Sequence, residues 1–286
     1  MYDKNALLKW IDKCRNEDGG FGRRPKREST LKDTFNALSI LSSKKMDEKR
    51  KKEIIDFVIS CKDSKGYGKR PEWKENIIDT YFAIKIHELL EMPLEGKEKV
   101  LELLEKYKND DGGYGLKKGW RSCLWNTRFA VQICSSLGKK SDLNKEKILK
   151  LISDRKNKDG CFSYSKDSFS RLEYTYDALL ILNEFNALSE IERNRVIEFV
   201  LKCRKPDGGF GAFPQDTSWL EYTYDALGIL NMLDSLDLVE EHTLMFIARC
   251  QNDDGGFGSR PGEPSRMDNA YDAFNSLKII ESQSEW

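Results

Sequence analysis

The chain has 286 residues, and its 48 basic and 48 acidic side chains cancel to a formal net charge of zero. That balance argues against a generic polyanion surface, so no nucleic-acid partner is expected, though it leaves room for a local basic patch. No apolar run reaches the roughly 18 residues a membrane span needs, and the start, Met1-Tyr2-Asp3-Lys4-Asn5, is too polar for a secretory signal; the expected location is cytoplasmic.

Taken in order, the chain repeats one phrase. Gly19-Gly20-Phe21-Gly22 returns as Gly66-Tyr67-Gly68, Gly112-Gly113-Tyr114-Gly115, Gly160-Cys161-Phe162, Gly208-Gly209-Phe210-Gly211 and Gly255-Gly256-Phe257-Gly258. The first glycines are spaced by 47, 46, 48, 48 and 47 residues. Such regularity marks a repeat architecture and predicts one domain over 1–286. Each repeat reads as an outer helix, the glycine turn and an inner helix. The outer helices are predicted near 3–16, 47–62, 97–109, 144–156, 189–204 and 237–251. The inner helices are predicted near 30–43, 75–90, 122–137, 170–185, 219–233 and 266–281.

The outer helix is amphipathic: Val196, Phe199, Val200 and Cys203 follow i, i+3, i+4, i+7, as do Val100, Leu103, Leu104 and Tyr107. The glycines are predicted to stop it through a left-handed C-cap. Asp33-Thr34 and Asp79-Thr80 read as capping signals for the inner helix, whose later half, as in Ala178-Leu179-Leu180-Ile181-Leu182, is apolar nearly all round. Four of the seven cysteines, Cys14, Cys61, Cys203 and Cys250, recur just before the turn; small buried side chains at a helix end are the simplest account. Both end repeats keep the phrase without a polar capping variant, so six hairpins are expected to close into an all-α (α/α)6 toroid rather than stack as an open solenoid.

The phrase, with Asp33-Thr34-Phe35-Asn36-Ala37-Leu38 and Tyr174-Thr175-Tyr176-Asp177-Ala178-Leu179, resembles the protein prenyltransferase β-subunit and squalene-cyclase superfamily across all six repeats. The resemblance implies an isoprenoid, or another apolar small molecule, in an aromatic central funnel, and leaves a place for a helical-repeat partner subunit. It also exposes departures. Where that family places a zinc-binding Asp-x-Cys and His, this chain has Trp219, Glu221 and Asp268. Asp159-Gly160-Cys161 falls in a turn, and His87 and His242 fall at a helix end and in an outer helix. Zinc, and with it ordinary cysteine prenylation, is not expected. Ala212, Phe213 and Asp216 stand where basic residues would grip diphosphate, and Ile77-Ile78-Asp79-Thr80 lacks the central acid of the cyclase motif Asp-x-Asp-Asp.

Aligning the repeats on Ala37, Ala83, Ala130, Ala178, Ala226 and Ala273 collects the candidate residues. Tyr174, Tyr176, Tyr222, Tyr224 and Tyr271, with Trp125 and Trp219, form an aromatic set that could line a prenyl pocket or simply pack the core. Glu173, Glu221 and Asp268, each with a second acid at i+4, are the candidate catalytic acids. In a dry funnel one would hold its proton; alternatively they hold Mg²⁺ through oxygen, or bind backbone and arginine. Arg128, Arg171 and Arg266, with Arg121 nearby, could grip a diphosphate or neutralise neighbouring acids, while Arg24, Arg70 and Arg260 recur in turns. An isoprenoid-handling transferase or cyclase is the first reading. A non-catalytic toroid binding a lipid or protein is the second, and a carbohydrate-active enzyme with paired carboxylates the third.

Overall fold

The computed structural model describes residues 2–41, 46–166 and 168–282. Within them are twelve α-helices. Outer helices are α1 (Lys4–Lys13), α3 (Glu48–Ser60), α5 (Lys97–Tyr107), α7 (Lys145–Ser153), α9 (Arg193–Cys203) and α11 (Glu241–Arg249). Inner helices are α2 (Leu31–Leu41), α4 (Ile77–Leu89), α6 (Leu124–Ser136), α8 (Leu172–Glu184), α10 (Leu220–Met232) and α12 (Met267–Glu281). The alternation is as expected, with residues 42 and 43 of the first predicted inner helix outside the described residues. Outer helices α9 and α11 begin later than the apolar pattern suggests, because short 3-10 turns at Leu188–Glu190 and Leu236–Leu238 take up its first residues.

The chain divides into two compact units, Asn5–Asn144 and Lys145–Trp286, the latter joined by Met1–Lys4. In the first, α2 packs on α4 and α4 on α6; in the second, α8 packs on α10 and α10 on α12. Outer-helix residues Leu7, Ile11, Val58, Leu103, Val196 and Ile247 are buried beneath them, as are Cys14, Cys61, Cys203 and Cys250 at the helix ends. Burial pushes the thiols of Cys61, Cys203 and Cys250 up to about 12, leaving them un-ionised at neutral pH.

Three local expectations need correction. First, the glycines do not cap the outer helices. Those helices end several residues earlier, Cys61 capping α3 in the right-handed region and Lys108 and Arg204 following α5 and α9 in extended form. The glycines instead turn a small antiparallel bridge, Arg15 with Phe21 in the first repeat and Arg204 with Phe210 in the fifth. Gly19 (φ 88°) and Gly208 (φ 92°) need the left-handed region, and a Cβ at either would collide with the Glu53 or His242 carbonyl of the next outer helix.

Second, Gly66 is not the partner of Gly19. The second turn is one residue shorter: Lys62 bridges Tyr67, and Asp63 N–H donates to the Gly66 carbonyl as Asn16 N–H donates to that of Gly20. Gly66 accordingly lacks the positive φ shared by Gly19, Gly112, Gly160, Gly208 and Gly255.

Third, Asp33-Thr34 and Asp79-Thr80 are not the caps. The caps are Thr30 and Asn76, whose side-chain oxygens accept from Asp33 N–H (3.1 Å) and Asp79 N–H (2.9 Å). The aspartates are the third helical residues, and their carboxylates accept from the cap side chains, Thr30 Oγ1 at 2.6 Å and Asn76 Nδ2 at 2.5 Å. The recurrent threonines serve the turns instead. Thr34, Thr80, Thr127, Thr175 and Thr223 Oγ1 accept the buried N–H of Phe21, Tyr67, Tyr114, Phe162 and Phe210 at 3.0–3.2 Å. Each thus ties an inner helix to its own turn, satisfying a donor that would otherwise be desolvated unpaired.

Candidate ligand-binding site at the inner-helix starts

The register in which the repeats disagree, Lys32, Ile78, Trp125, Glu173, Glu221 and Asp268, is the second residue of every inner helix. Just before each helix the backbone is extended: φ/ψ is −151°/167° at Asn76, −141°/152° at Arg171, −138°/145° at Trp219 and −144°/150° at Arg266. Asn76 caps with its side chain; Arg171, Trp219 and Arg266 do not. α8 and α10 receive a stitch from the next repeat, the Leu172 and Leu220 N–H groups donating to the Ala212 and Ser259 carbonyls at 2.9 Å, as Leu31 N–H of the side-chain-capped α2 donates to the Lys69 carbonyl at 3.0 Å. The acids Glu173, Glu221 and Asp268 stand in the first turn, where a carboxylate offsets the helix dipole.

Arg171 is the most enclosed of these cap residues. Its Nε donates to Glu173, its Nη2 donates to the Tyr222 hydroxyl at 3.3 Å, and its guanidinium lies 5.3 Å from the Phe213 ring centre and 5.9 Å from those of Phe169 and Tyr222. Burial first, then Glu173 and Glu221, push the Tyr222 hydroxyl up to about 12. Phe169 meets Phe213 edge-on at 5.2 Å, and Tyr174 meets Tyr164 at 5.8 Å. Arg266 grips Asp268 with two bonds, at 3.0 and 2.6 Å. Trp219 carries the Arg260 guanidinium 4.1 Å from its ring centre, so Arg260 is more than a turn residue. The pairing of Arg171 and Arg266 with neighbouring acids was one of the two readings open from sequence; in part-exposed positions such pairs are each worth about 0–1 kcal/mol.

Further along α8, α10 and α12, Tyr176, Tyr224 and Tyr271 form a continuous tier. Ring centres are 5.8 Å apart between Tyr176 and Tyr224 and 5.9 Å between Tyr224 and Tyr271, both edge-to-face. The Tyr176 hydroxyl donates to that of Tyr224 at 3.4 Å. Gly228 makes room: a Cβ there would stand 2.5 Å from the Tyr176 ring. Beside this tier the carboxyl of Asp225 is held well above the ordinary carboxylate range, by burial first and then by Glu221, Asp177, Asp272 and Glu173. The condition for a proton-holding acid is thus met at Asp225, one helical turn beyond Glu221.

Trp125 and Arg128 belong to the other unit. Trp125, 47% exposed, meets Phe129 at 6.0 Å, and Arg128 stacks 4.4 Å from the same ring. There Phe35, Tyr81, Phe82 and Phe129 form an aromatic cluster of their own, with Tyr81 4.7 Å from Phe129. His87 is buried in the last turn of α4 and His242 lies in α11. Among the described residues no group of three or more His, Cys, Asp or Glu is placed to hold a metal ion, and no helix is long and apolar enough to cross a membrane. Sequence reasoning missed Phe169 and Gly228. Phe169 precedes its inner helix and so falls outside the helical register, and the glycine is one of twenty in the chain.

A family model described as prenyltransferase alpha-alpha toroid domain matches the chain over residues 1–42, 34–167, 80–245 and 121–286. No curated protein matches the sequence. Among solved structures, the Candida albicans protein geranylgeranyltransferase-I complexed with GGPP is similar at 19% identity and TM-score 0.82, covering 98% of this chain and 92% of that one. A type II terpene cyclase from Scytonema in complex with geranylgeranyl dihydroxybenzoate is similar at 11% identity and TM-score 0.67, covering 98% and 96%. A protein from Actinoplanes is similar at 14% identity and TM-score 0.66, covering 98% and 100%. At these identities the likeness shows the fold, an all-α toroid of helical hairpins.

Proposed function

Because the chain belongs to the prenyltransferase alpha-alpha toroid family, we propose that it binds an isoprenoid along the inner-helix face of Lys145–Trp286. The observation that carries this reading is the register-matched tyrosine tier of Tyr176, Tyr224 and Tyr271, three rings packed edge-to-face in a row on adjacent helices. A prenyl chain is a row of double bonds that such faces accommodate, and a positive charge developing along it would be stabilised by them. Two solved structures of this fold hold geranylgeranyl compounds, which supports the ligand class.

In this reading Arg171 and Arg266 meet the anionic head at the helix starts, Trp219 and Tyr222 border it, and Tyr174 lies at the edge. Trp125 and Arg128 are read as ligand contacts of α6 within Asn5–Asn144, taken by itself. Glu173 and Asp268 hold the two arginines in position and, with Glu221, stand ready to exchange protons; Mg²⁺ could bridge a diphosphate to the three acids. Zinc is given no role in this reading, because the register read from the sequence sets Trp219, Glu221 and Asp268 where the resemblance implies zinc-binding side chains. The site is read as part of a single domain spanning 1–286 in a cytoplasmic protein. A non-catalytic toroid that carries a lipid is favoured by one observation: the arginines are already paired with acids.

One experiment separates the readings. The purified protein is incubated with farnesyl or geranylgeranyl diphosphate, with and without Mg²⁺, and both binding and products are measured. Turnover supports the enzyme, saturable binding without products supports the carrier, and no binding with either diphosphate sinks the isoprenoid reading.

A further inference from the structure

The tyrosine tier has an anionic companion. Asp177, Asp225 and Asp272 directly follow Tyr176, Tyr224 and Tyr271, so three acids stand in register on α8, α10 and α12. Asp225 is only 7% exposed, and among the described residues its carboxyl has no hydrogen-bond or ion-pair partner. Buried carboxyls are normally paired, because leaving one bare costs several kcal/mol in desolvation. Here the neighbours acting on it are further acids: Glu221 on its own helix, Asp177 and Glu173 from α8, and Asp272 from α12. The nearby cations Arg171 and Arg266 are engaged by Glu173 and Asp268, at the helix starts. The edge-to-face rings and the neighbouring acids therefore stand about a buried carboxyl with no positive partner, and the acids favour its protonated form.

The same unit shows what such a combination holds. Arg171, a delocalised cation, lies against the rings of Phe213, Phe169 and Tyr222 with Glu173 as its counter-charge. We propose that the tier built by Tyr176, Tyr224, Tyr271 and Asp225 is a subsite for an organic cation, a protonated amine or quaternary ammonium carried on an apolar group. Ring quadrupoles attract the diffuse, weakly hydrated charge, and Asp225, releasing its proton to solvent as the cation enters, supplies the counter-charge. A hard metal ion is the poorer fit, because ring faces supply no oxygen ligands and, among the described residues, no three-acid group is placed to hold one. The subsite does not depend on the isoprenoid reading, and its probe carries no prenyl chain.

The test is a titration of the purified full chain with tetraethylammonium chloride at pH 7 and fixed ionic strength, followed by calorimetry. A neutral alcohol of similar size and sodium chloride serve as controls. Saturable binding at least tenfold tighter than to the alcohol is expected. Asp225→Asn should weaken it tenfold or more, Tyr224→Leu should weaken it comparably, and Tyr224→Phe, which keeps the ring face, should preserve it. Should Asp225→Asn fail to fold, the contrast between the two Tyr224 variants decides. Equal affinity for cation and alcohol, or ammonium binding indifferent to Asp225→Asn and Tyr224→Leu, overturns the proposal. Geranylgeranyl diphosphate binding, measured separately, shows whether the isoprenoid reading fails with it or stands alone.

Discussion

In α2 and α4 the residue before the helix is Thr30 or Asn76, and its oxygen takes the third helical N–H while an aspartate at that third position accepts from the cap side chain. In α6 the same place is held by Cys123, whose sulfur accepts from Asn126 N–H at 3.5 Å. In α8, α10 and α12 it is held by Arg171, Trp219 and Arg266, and the acid has moved to the second position. The backbone is extended at Asn76 and Cys123 as it is at Arg171, Trp219 and Arg266, so at these five the difference lies in side-chain chemistry. A side-chain cap contributes about 0.5–2 kcal/mol. Three helix starts forgo it for large cationic or aromatic groups, and these are the helix starts at which the ligand head is proposed to bind.

Removing the special residues from the second unit is the sharpest way to test that contrast. The double variant Arg171→Ala, Arg266→Ala is expected to weaken geranylgeranyl diphosphate binding tenfold or more, since each charge-assisted bond is worth about 1.5–3 kcal/mol. Arg24→Ala, in a turn of the first unit, should leave it unchanged; equal losses in a binding titration would erase the distinction. Thr80→Val and Thr175→Val should instead affect the two units alike. Each strands a buried N–H, with an expected cost of about 1–3 kcal/mol in denaturant unfolding. Capping separates the units again. Asn76→Ala should cost about 1 kcal/mol, whereas Trp219→Ser should gain a few tenths to ~1 kcal/mol in stability, because it supplies an oxygen where none now caps. A loss on Trp219→Ser would show that the stacking of Arg260 outweighs the missing cap.

Asp225 adds a pH signature to the second unit. Its folded-state pKa lies above the unfolded value, so the folded chain holds this proton more tightly. Its contribution to stability is fully present below about pH 4 and is lost as pH rises through the raised folded value. Asp225→Asn should therefore have the higher Tm at pH 7, with the gap closing towards pH 4. A pH-independent gap would mean that the carboxyl is not the cause.

Twelve helices and their pairing into turns were legible because apolar spacing and glycine recurrence are local properties that repeat six times. The caps were misplaced by three residues because Asp33 and Asp79 are themselves good capping residues, and only geometry shows which member of Thr30–Asp33 or Asn76–Asp79 plays which part. Gly66 was misaligned because a one-residue deletion in a glycine turn leaves the pattern of letters almost unchanged while removing the positive φ. The register proposed for the site is the one in which the copies disagree. What sequence could not supply was depth: Glu221 and Asp225 look equivalent as letters one turn apart, yet one is exposed and the other is buried without a partner.

The first and sixth repeats touch in a way that bears on how the protein is made. Asp3 N–H donates to Gln251 Oε1 at 2.7 Å, Gln251 Nε2 donates to the Asp3 carbonyl at 2.8 Å, and Tyr2 rests 6.2 Å from the Phe257 ring. Asp3 and Gln251 lie 248 residues apart. At ribosomal speeds of about 5–20 residues per second, Tyr2 and Asp3 must wait on the order of 10–50 s before Gln251 and Phe257 exist to receive them. Asn5–Asn144, a compact unit, is complete well before then; the last repeat cannot engage Tyr2 and Asp3 until Gln251 and Phe257 have been made.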